Sequence, residues 1–392
     1  MANVVLIADD LTGAADTSAP FASHGLSTRL LLDIKHATPA TTQVTALSTR
    51  SRELDPEPAK AAVTYACRWV DRLDLDDPYL FKKIDSTLRG HISDELSVFV
   101  DHFTVERILV SPAFPSQGRT TLHGTHHVHG IPVSKTTFAR NHFTDNLPER
   151  FRKITELPKH HLPIEKIRGS QKLAPKFEEP GMFIPDIQSD ADMLRVVHAA
   201  LEAGVMHFCG AAGLGRALAA ALGNEANHET AFGMCREPLL IVAGSRNQAT
   251  VDQVEEARRK GAPVVPLNGG NTDIARQVSH HLSRGQSVIM SSQTPKTEDF
   301  TPEAVRSALG ELVAEIINTT PPGMLVLTGG DVAAAVCHEL DVTGLTLHGE
   351  IEPGMPVGSL ESSQVSGLPI LTKAGGFGDR KAFLRTLELA RG

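Results

Sequence analysis

Residues 5–18 read VLIADDLTGAADTS. Three apolar residues and an alanine run into Asp9 and Asp10, and Thr12-Gly13 and a series of small residues follow. An apolar run bounded by polar residues has the pattern of a buried strand, and LTGAADTSAPFASHG has that of a small-residue helix closed by Gly25. Adjacent carboxylates repel, so this junction needs a purpose. Asp10 or Thr12 suits a helix N-cap; the pair also suits a site that holds a hydroxyl-rich ligand or a metal.

The strand–helix pattern continues outward from this point. STRLLLD, TTQVTALSTR, PYLFKKID and ERILVSPAFP read as further strands, and PAKAAVTYACRWVDRL and HISDELSVFVDHF as helices between them. GMFIPDIQ and HFCG resume the strands after an irregular insertion or connection at 141–180, with DADMLRVVHAALEAG a helix between them. PLLIVAGS, APVVPL, QSVIMSSQ, GMLVLTGGD and LPILTKAGGFGD form a second series with its own helices, NQATVDQVEEARRKG and DVAAAVCHEL. Such alternation predicts an α/β fold: two α/β domains, each with a mostly parallel sheet flanked by helices. A length of 392 residues agrees with two domains. The polar segment 222–236 sets the boundary, dividing 1–228 from 229–392.

At 41% hydrophobic and 21% charged residues, with a formal net charge of −8, the chain lacks the basic footprint of a nucleic-acid binder. An anionic ligand must therefore be held by local cations. Cys67, Cys209, Cys235 and Cys337 form no CxxC pair and are expected to be buried free thiols in a reducing cytosol. MANVVLIADD lacks the features of a signal peptide, and no apolar run is long enough for a bilayer, so a cytoplasmic protein with no membrane partner is expected. A homodimer is the default expectation for such an enzyme. Four of the 18 histidines, His123, His126, His127 and His129, crowd into HGTHHVHG without evident carboxylate or cysteine partners. They read as loop and surface histidines, with room for one to touch substrate.

Ligands of open parallel sheets sit at the carboxyl ends of the strands. In the first half those ends carry Asp9 and Asp10, then Ser48 to Arg52, then Lys82 to Gly90, then Ser111 to Pro115. The aspartates accept hydrogen bonds from hydroxyls. Arg50, Arg52, Lys82, Lys83 and Arg89 donate to carboxylate or phosphate. Ser86 and Thr87 add small donors, expected at a helix start where backbone N–H groups favour an anion. Together these residues suit a small polyhydroxy acid.

The second half carries glycine instead. Gly244 and Ser245 close one strand, Thr328, Gly329 and Gly330 another, with Asp331 expected as an N-cap. EPGMPVG supplies Gly354 and Gly358, and TKAGGFG supplies Lys373, Gly375, Gly376 and Gly378. Glycine lets backbone N–H groups approach phosphate. There is no Walker GxxxxGK[ST] and no convincing GxGxxG after a strand. Several glycine-rich strand ends in one domain point to a nucleotide site.

IADDLTGAADT, STRSR, KKIDSTLRG, SPAFPSQGRTT with HVHGIPV, GS…T..Q, TGGD, EPGMPVG and TKAGGFG, in this order over nearly the whole chain, resemble the four-carbon acid sugar kinases. The resemblance implies an N-terminal sugar-acid domain and a C-terminal ATP domain, with the active site in the cleft between them. It implies Mg²⁺ alongside ATP, and phosphorylation of the terminal hydroxyl of threonate, erythronate or 3-oxo-tetronate. The family's substrate site falls on Asp10 with Asp9, Arg52 with Arg50, and Lys82, Lys83, Ile84 and Asp85. Its nucleotide site falls on Ser245, Thr328 to Asp331, and Gly375 and Gly376. Asp10 or Asp85 is the candidate to orient the attacking hydroxyl. Lys82, Lys83 and Arg89 are candidates to hold the carboxylate or neutralise the transferring group. No metal ligand is assigned, although Asp331 is a candidate.

Three departures bear on the substrate. Lys135-Thr136 and Asn141 stand where the family has Glu-Thr and an aspartate, and Gly376 where asparagine or glycine is common. Segment 141–180 also matches poorly. These differences leave open a branched acid such as a 3-oxo-isoapionate. A metal-dependent sugar-acid aldolase or dehydratase using Asp9 and Asp10, and a non-catalytic sugar-acid binder, are the rival classes.

Overall fold

The computed structural model describes residues 3–35, 42–139, 144–152, 154–245, 247–267, 271–292 and 302–391. Asn141 lies outside the described residues. The chain divides into two compact units, Met1–Ala226 and Asn227–Gly392.

In the first unit the elements run β1 (Val4–Ala8), α1 (Leu11–Ser23), β2 (Thr28–Leu31), β3 (Val44–Ser48), α2 (Pro56–Asp71), β4 (Tyr79–Lys83), α3 (Ile92–His102) and β5 (Arg107–Ser111). Then come β6 (Arg119–Leu122), β7 (Thr125–Val128), β8 (Ile131–Pro132), α4 (Leu147–Phe151), β9 (Lys159–Leu162), α5 (Ile164–Arg168), β10 (Gly181–Pro185), α6 (Asp190–Glu202), β11 (His207–Gly210) and α7 (Ala212–Leu222). The strand order is β2-β3-β1-β4-β11-β5-β10-β9, with every described pairing parallel. All five residues of β1 are buried, which explains its unbroken apolar run. Helix α1 packs with α7, and α2 with α3. Trp69, Phe99, Ile7, Leu47 and Ile108 share one core cluster.

The chain leaves β1 for β2 and β3 on one side, then returns to β4 on the other. The strand order therefore reverses at β1, where a crevice at the carboxyl ends is the usual place for a ligand. Register puts Ala8 level with Ser48 and with Lys83. Asp9 and Asp10 thus emerge between the residues that follow β3 and those that follow β4.

Two expectations change here. HGTHHVHG belongs to a hairpin: β6, β7 and β8 form a separate antiparallel sheet, with His123 and His129 exposed at its turns as expected. His123 and Gly124 both have positive φ (52° and 72°), as a two-residue hairpin turn demands. His126 is fully buried. Segment 141–180, expected to be irregular, contains α4, β9 and α5, with β9 extending the main sheet.

In the second unit the order is α8 (Glu229–Met234), β12 (Leu239–Ala243), α9 (Gln248–Arg259), β13 (Val264–Pro266), α10 (Asn271–Ser283), β14 (Val288–Ser291) and α11 (Pro302–Thr319). It continues with β15 (Met324–Thr328), α12 (Gly330–Glu339), β16 (Val342–Glu350), β17 (Pro356–Ser362), β18 (Pro369–Lys373) and α13 (Ala382–Ala390). Strands β13-β14-β12-β15-β18 are parallel, β17 adds antiparallel to β18, and β16 antiparallel to β17. EPGMPVG is therefore the turn between two antiparallel strands, not a parallel strand end. Two register shifts interrupt the β16–β17 ladder and obscure its alternation in the sequence.

All four cysteines are buried free thiols. Among the described residues, no helix is long and apolar enough to cross a membrane.

Candidate functional site

At the end of β1, Asp10 is the N-cap of α1 and accepts a hydrogen bond from Gly13 N at 3.0 Å. Thr12 Oγ1 donates to its other oxygen at 2.8 Å, so Asp10 rather than Thr12 is the cap. Arg52 settles the repulsion between the two aspartates. Its Nε and Nη2 donate to both oxygens of Asp9 at 2.8 and 2.7 Å, and Nη2 also reaches Asp10 Oδ1 at 2.7 Å. Burial alone would raise the Asp9 pKa. Arg52, then Lys83 and Lys82, outweigh it and hold the carboxyl below its ordinary value. Burial likewise opposes the Arg52 charge, but Asp10, Asp9 and Asp85 keep it firmly protonated.

The two lysines of β4 face opposite ways, as successive strand residues must. Lys82 Nζ meets Glu95 Oε2 of α3 at 2.7 Å, with side-chain exposures of 0% and 2%. Burial works against this ammonium, yet Glu95 and Asp9 raise its pKa. Ser51 Oγ donates to the other Glu95 oxygen at 2.6 Å. Enclosed in this way, with Nζ also donating to Lys83 O at 2.9 Å, Lys82 braces the site from beneath. Lys83 sits beside Gly13 of α1 and donates to Ile84 O at 2.7 Å. Among the described residues no carboxylate lies within ion-pair distance of it, so donor capacity remains. Ile84 itself is a core side chain.

Asp85 is the third acid. Arg89 Nε and Nη2 fork onto it at 2.9 and 2.8 Å, Thr87 donates through N at 3.1 Å and also through Oγ1, and Arg52 Nη1 stands 3.8 Å away. Burial opposes its charge, but Arg89 and Arg52 hold it well below the usual carboxylate range. Residues 86–89 form a turn closed on Asp85, not a helix start, because α3 begins only at Ile92. Ser86 is buried, and its carbonyl accepts from His126 Nε2 at 2.8 Å. That bond places the proton on Nε2 and leaves Nδ1 facing Thr121 Oγ1 at 3.1 Å. Burial lowers the His126 pKa to about 4, so the ring is a neutral strut beneath the loop. Arg50 is exposed with φ 53° and makes no hydrogen bond or ion pair among the described residues.

Arg119, at the start of β6, was quoted in SPAFPSQGRTT but not assigned. It is buried, burial lowers its pKa, and the Asp85 carboxylate works the other way. Arg52, Lys83, Arg89 and Arg119 thus stand among Asp9, Asp10, Asp16 and Asp85, with Lys82 and Glu95 paired to one another. Asp10 is the most open of the three acids, at 17% side-chain exposure against 5% for Asp9 and 9% for Asp85.

In the second unit, Ala243, Thr328 and Lys373 end adjacent parallel strands in register. Gly244, Gly329 and Ala374 follow them side by side. Gly329, with φ 97°, is the N-cap of α12; Asp331 lies inside the first turn and pairs with Arg306 at 3.1 Å, so it is not the cap. Gly330 and Asp331 supply N–H groups of that first turn, which have no partner inside the helix. A Cβ on Gly375 would collide with Ser245 Oγ, and one on Gly244 with Val332. These glycines are close-approach positions. Lys373 is fully buried and donates to Ala374 O at 3.2 Å and Phe377 O at 3.0 Å. It supports the loop from within. Gly354 belongs to the β16–β17 turn and packs against the Phe377 ring. Thr250 and Gln253, the T and Q of the GS…T..Q motif, bond to the same loop from α9. Among the described residues, no three His, Cys, Asp or Glu side chains group to hold a metal.

Residues 4–218 match the family model described as a sugar-binding N-terminal domain, and 240–383 the one described as a nucleotide-binding C-terminal domain. A D-threonate kinase of Bordetella bronchiseptica is 31% identical over 98% of this chain and 97% of its own. A D-threonate kinase of Salmonella typhimurium is 29% identical over 96% and 95%. A D-erythronate kinase of Heliobacterium modesticaldum is 27% identical over 97% and 95%. A crystal structure of a Haemophilus influenzae protein shares the fold at a TM-score of 0.75, with 19% identity over 99% of this chain and 100% of that one.

Proposed function

The chain belongs to the four-carbon acid sugar kinase family, and from that premise we propose that it uses ATP to phosphorylate the terminal (4-) hydroxyl of a four-carbon sugar acid such as D-threonate, D-erythronate or 3-oxo-tetronate. The observation that carries this is the convergence of Arg52, Lys83 and Arg89 with Asp9, Asp10 and Asp85 at the carboxyl ends of β1, β3 and β4. Arg52, Lys83 and Arg119 bind the acid's carboxylate, and Arg89 closes over Asp85. Asp10, the most open acid, accepts the attacking hydroxyl and orients it. A positioned base of this kind contributes about 10²–10⁴-fold. Asp85, forked by Arg89 and held deep in its ionised range, keeps the basic residues in place.

The nucleotide belongs to the second unit. Backbone N–H groups of Gly330, Asp331, Gly375 and Gly376, with Ser245, would hold its phosphates; the close approaches at Gly375 and Gly244 fit such a cradle. Bound MgATP supplies the phosphoryl group. Mg²⁺ needs one or two carboxylates at most beside phosphate oxygens, and Asp331 is the acid at that place. The residues' work is positioning and charge neutralisation, which dominate phosphoryl transfer. A metal-dependent aldolase or dehydratase would need Asp9 and Asp10 free to ligate, and Arg52 bridges both.

Phosphorus NMR of reactions containing the full chain, MgATP and each acid in turn tests the proposal. A new terminal phosphomonoester together with ADP is expected for at least one acid. ATP left intact with all of them would refute it.

A further inference from the structure

The 374–379 loop is held by its carbonyls. Thr250 Oγ1 donates to Gly375 O at 2.8 Å. Gln253 Nε2 reaches Phe377 O, Gly378 O and Asp379 O at 3.0, 3.2 and 3.0 Å. Lys373 Nζ takes Ala374 O and Phe377 O. Thr250 and Gln253 are three residues apart, on one face of α9. Three side chains therefore gather five carbonyls of one short loop. The N–H groups of Gly375 and Gly376 have no acceptor among the described residues.

This arrangement has costs, which argues that it serves a purpose. Gln253 is fully buried, and its Oε1 has no hydrogen-bond partner among the described residues. A buried acceptor left unmade is expensive; in return the two amide N–H groups are shared among three carbonyls. Lys373 is equally buried, over the Phe383 ring at 5.6 Å, and no carboxylate pairs with it among the described residues. Carbonyl dipoles are what it has in place of a counter-ion. The Phe377 ring packs at Gly354, where a Cβ would collide with it, so the loop is also pinned from the β16–β17 turn.

We infer that Thr250, Gln253 and Lys373 are positioning residues for nucleotide binding: by drawing the loop's carbonyls to one side they leave the Gly375 and Gly376 N–H groups on the other, preformed for phosphate. None of the three touches the nucleotide. The inference rests on the assignment of the second unit to ATP.

The test is titration of the full chain with MgATP, with steady-state KM values for MgATP and for the acid substrate. Thr250→Val removes one donor at constant shape and should weaken MgATP binding about fivefold. Thr250→Ser should restore it to about the wild-type value. Gln253→Leu, which strands three carbonyls, should weaken it more. The KM for the acid should not move in any of them. Wild-type protein that binds no MgATP would overturn the assignment of the unit, and the clamp with it. Wild-type protein that binds, with Thr250→Val binding equally tightly, would overturn the clamp alone. If Gln253→Leu fails to fold, the Thr250 pair still decides.

Discussion

Lys82 Nζ and Glu95 Oε2 lie 2.7 Å apart, sealed from solvent on the opposite side of β4 from Lys83. Removing one member of such a pair strands the other charge, at a cost of about 3–5 kcal/mol. Lys82→Met should lower stability by that order in urea unfolding, and Lys82→Met with Glu95→Leu should recover most of it. Lys83→Met should leave the unfolding midpoint nearly unchanged and instead lower kcat/KM for the acid. Equal losses of stability in the two single lysine variants would contradict this division.

Asp9 and Asp85 have folded pKa values below their ordinary ones, despite burial, because of Arg52 and Arg89. Depressed carboxyl groups stabilise the fold above the unfolded value, about pH 3.9, and lose that contribution as pH falls through the folded value. Unfolding free energy should therefore drop steeply below about pH 4. Asp85→Asn should flatten that drop. An unchanged acid slope in the variant would count against the pairing.

Lys373 behaves in the opposite sense. Burial lowers its pKa to about 7. Between that value and the unfolded lysine value of about 10.4, the unfolded chain binds a proton that the folded one does not, so stability rises with pH across this window. Lys373→Met should remove that rise when unfolding is followed from pH 7 to 10. Parallel curves for variant and wild type would show that the ammonium is not desolvated.

Gly375 stands where a side chain would collide with Ser245. Gly375→Ala should push the loop outward at a cost of about 1–3 kcal/mol and raise the KM for MgATP, leaving that for the acid alone. A variant with unaltered MgATP affinity would show that this close approach does not shape the nucleotide site.

Much of the molecule was legible because parallel α/β sheets announce themselves. Buried strands such as β1 and β12 appear as apolar runs, and their carboxyl ends can be inspected directly. What was hidden follows from geometry that periodicity does not carry. Nothing in KKID says which lysine turns inward, since that depends on Glu95, twelve residues past Lys83. His126 looked like a surface histidine because the paired positive-φ residues His123 and Gly124 were not read as a hairpin turn. Strands β16 and β17 were masked by their register shifts. Thr250 and Gln253 were visible as letters of a motif, but their bonds reach more than a hundred residues along the chain to 375–379.

The most direct test of the account is steady-state ADP formation by wild type and Arg52→Lys, with MgATP saturating and a four-carbon sugar acid varied. Arg52 bridges Asp9 and Asp10 through a fork that lysine cannot reproduce. The account predicts acid-dependent turnover by wild type, and a loss in the variant of about 10–100-fold in kcat/KM for the acid, with the KM for MgATP unchanged. Turnover in Arg52→Lys within about twofold of wild type, or ADP formation by wild type that ignores every four-carbon acid, would contradict it.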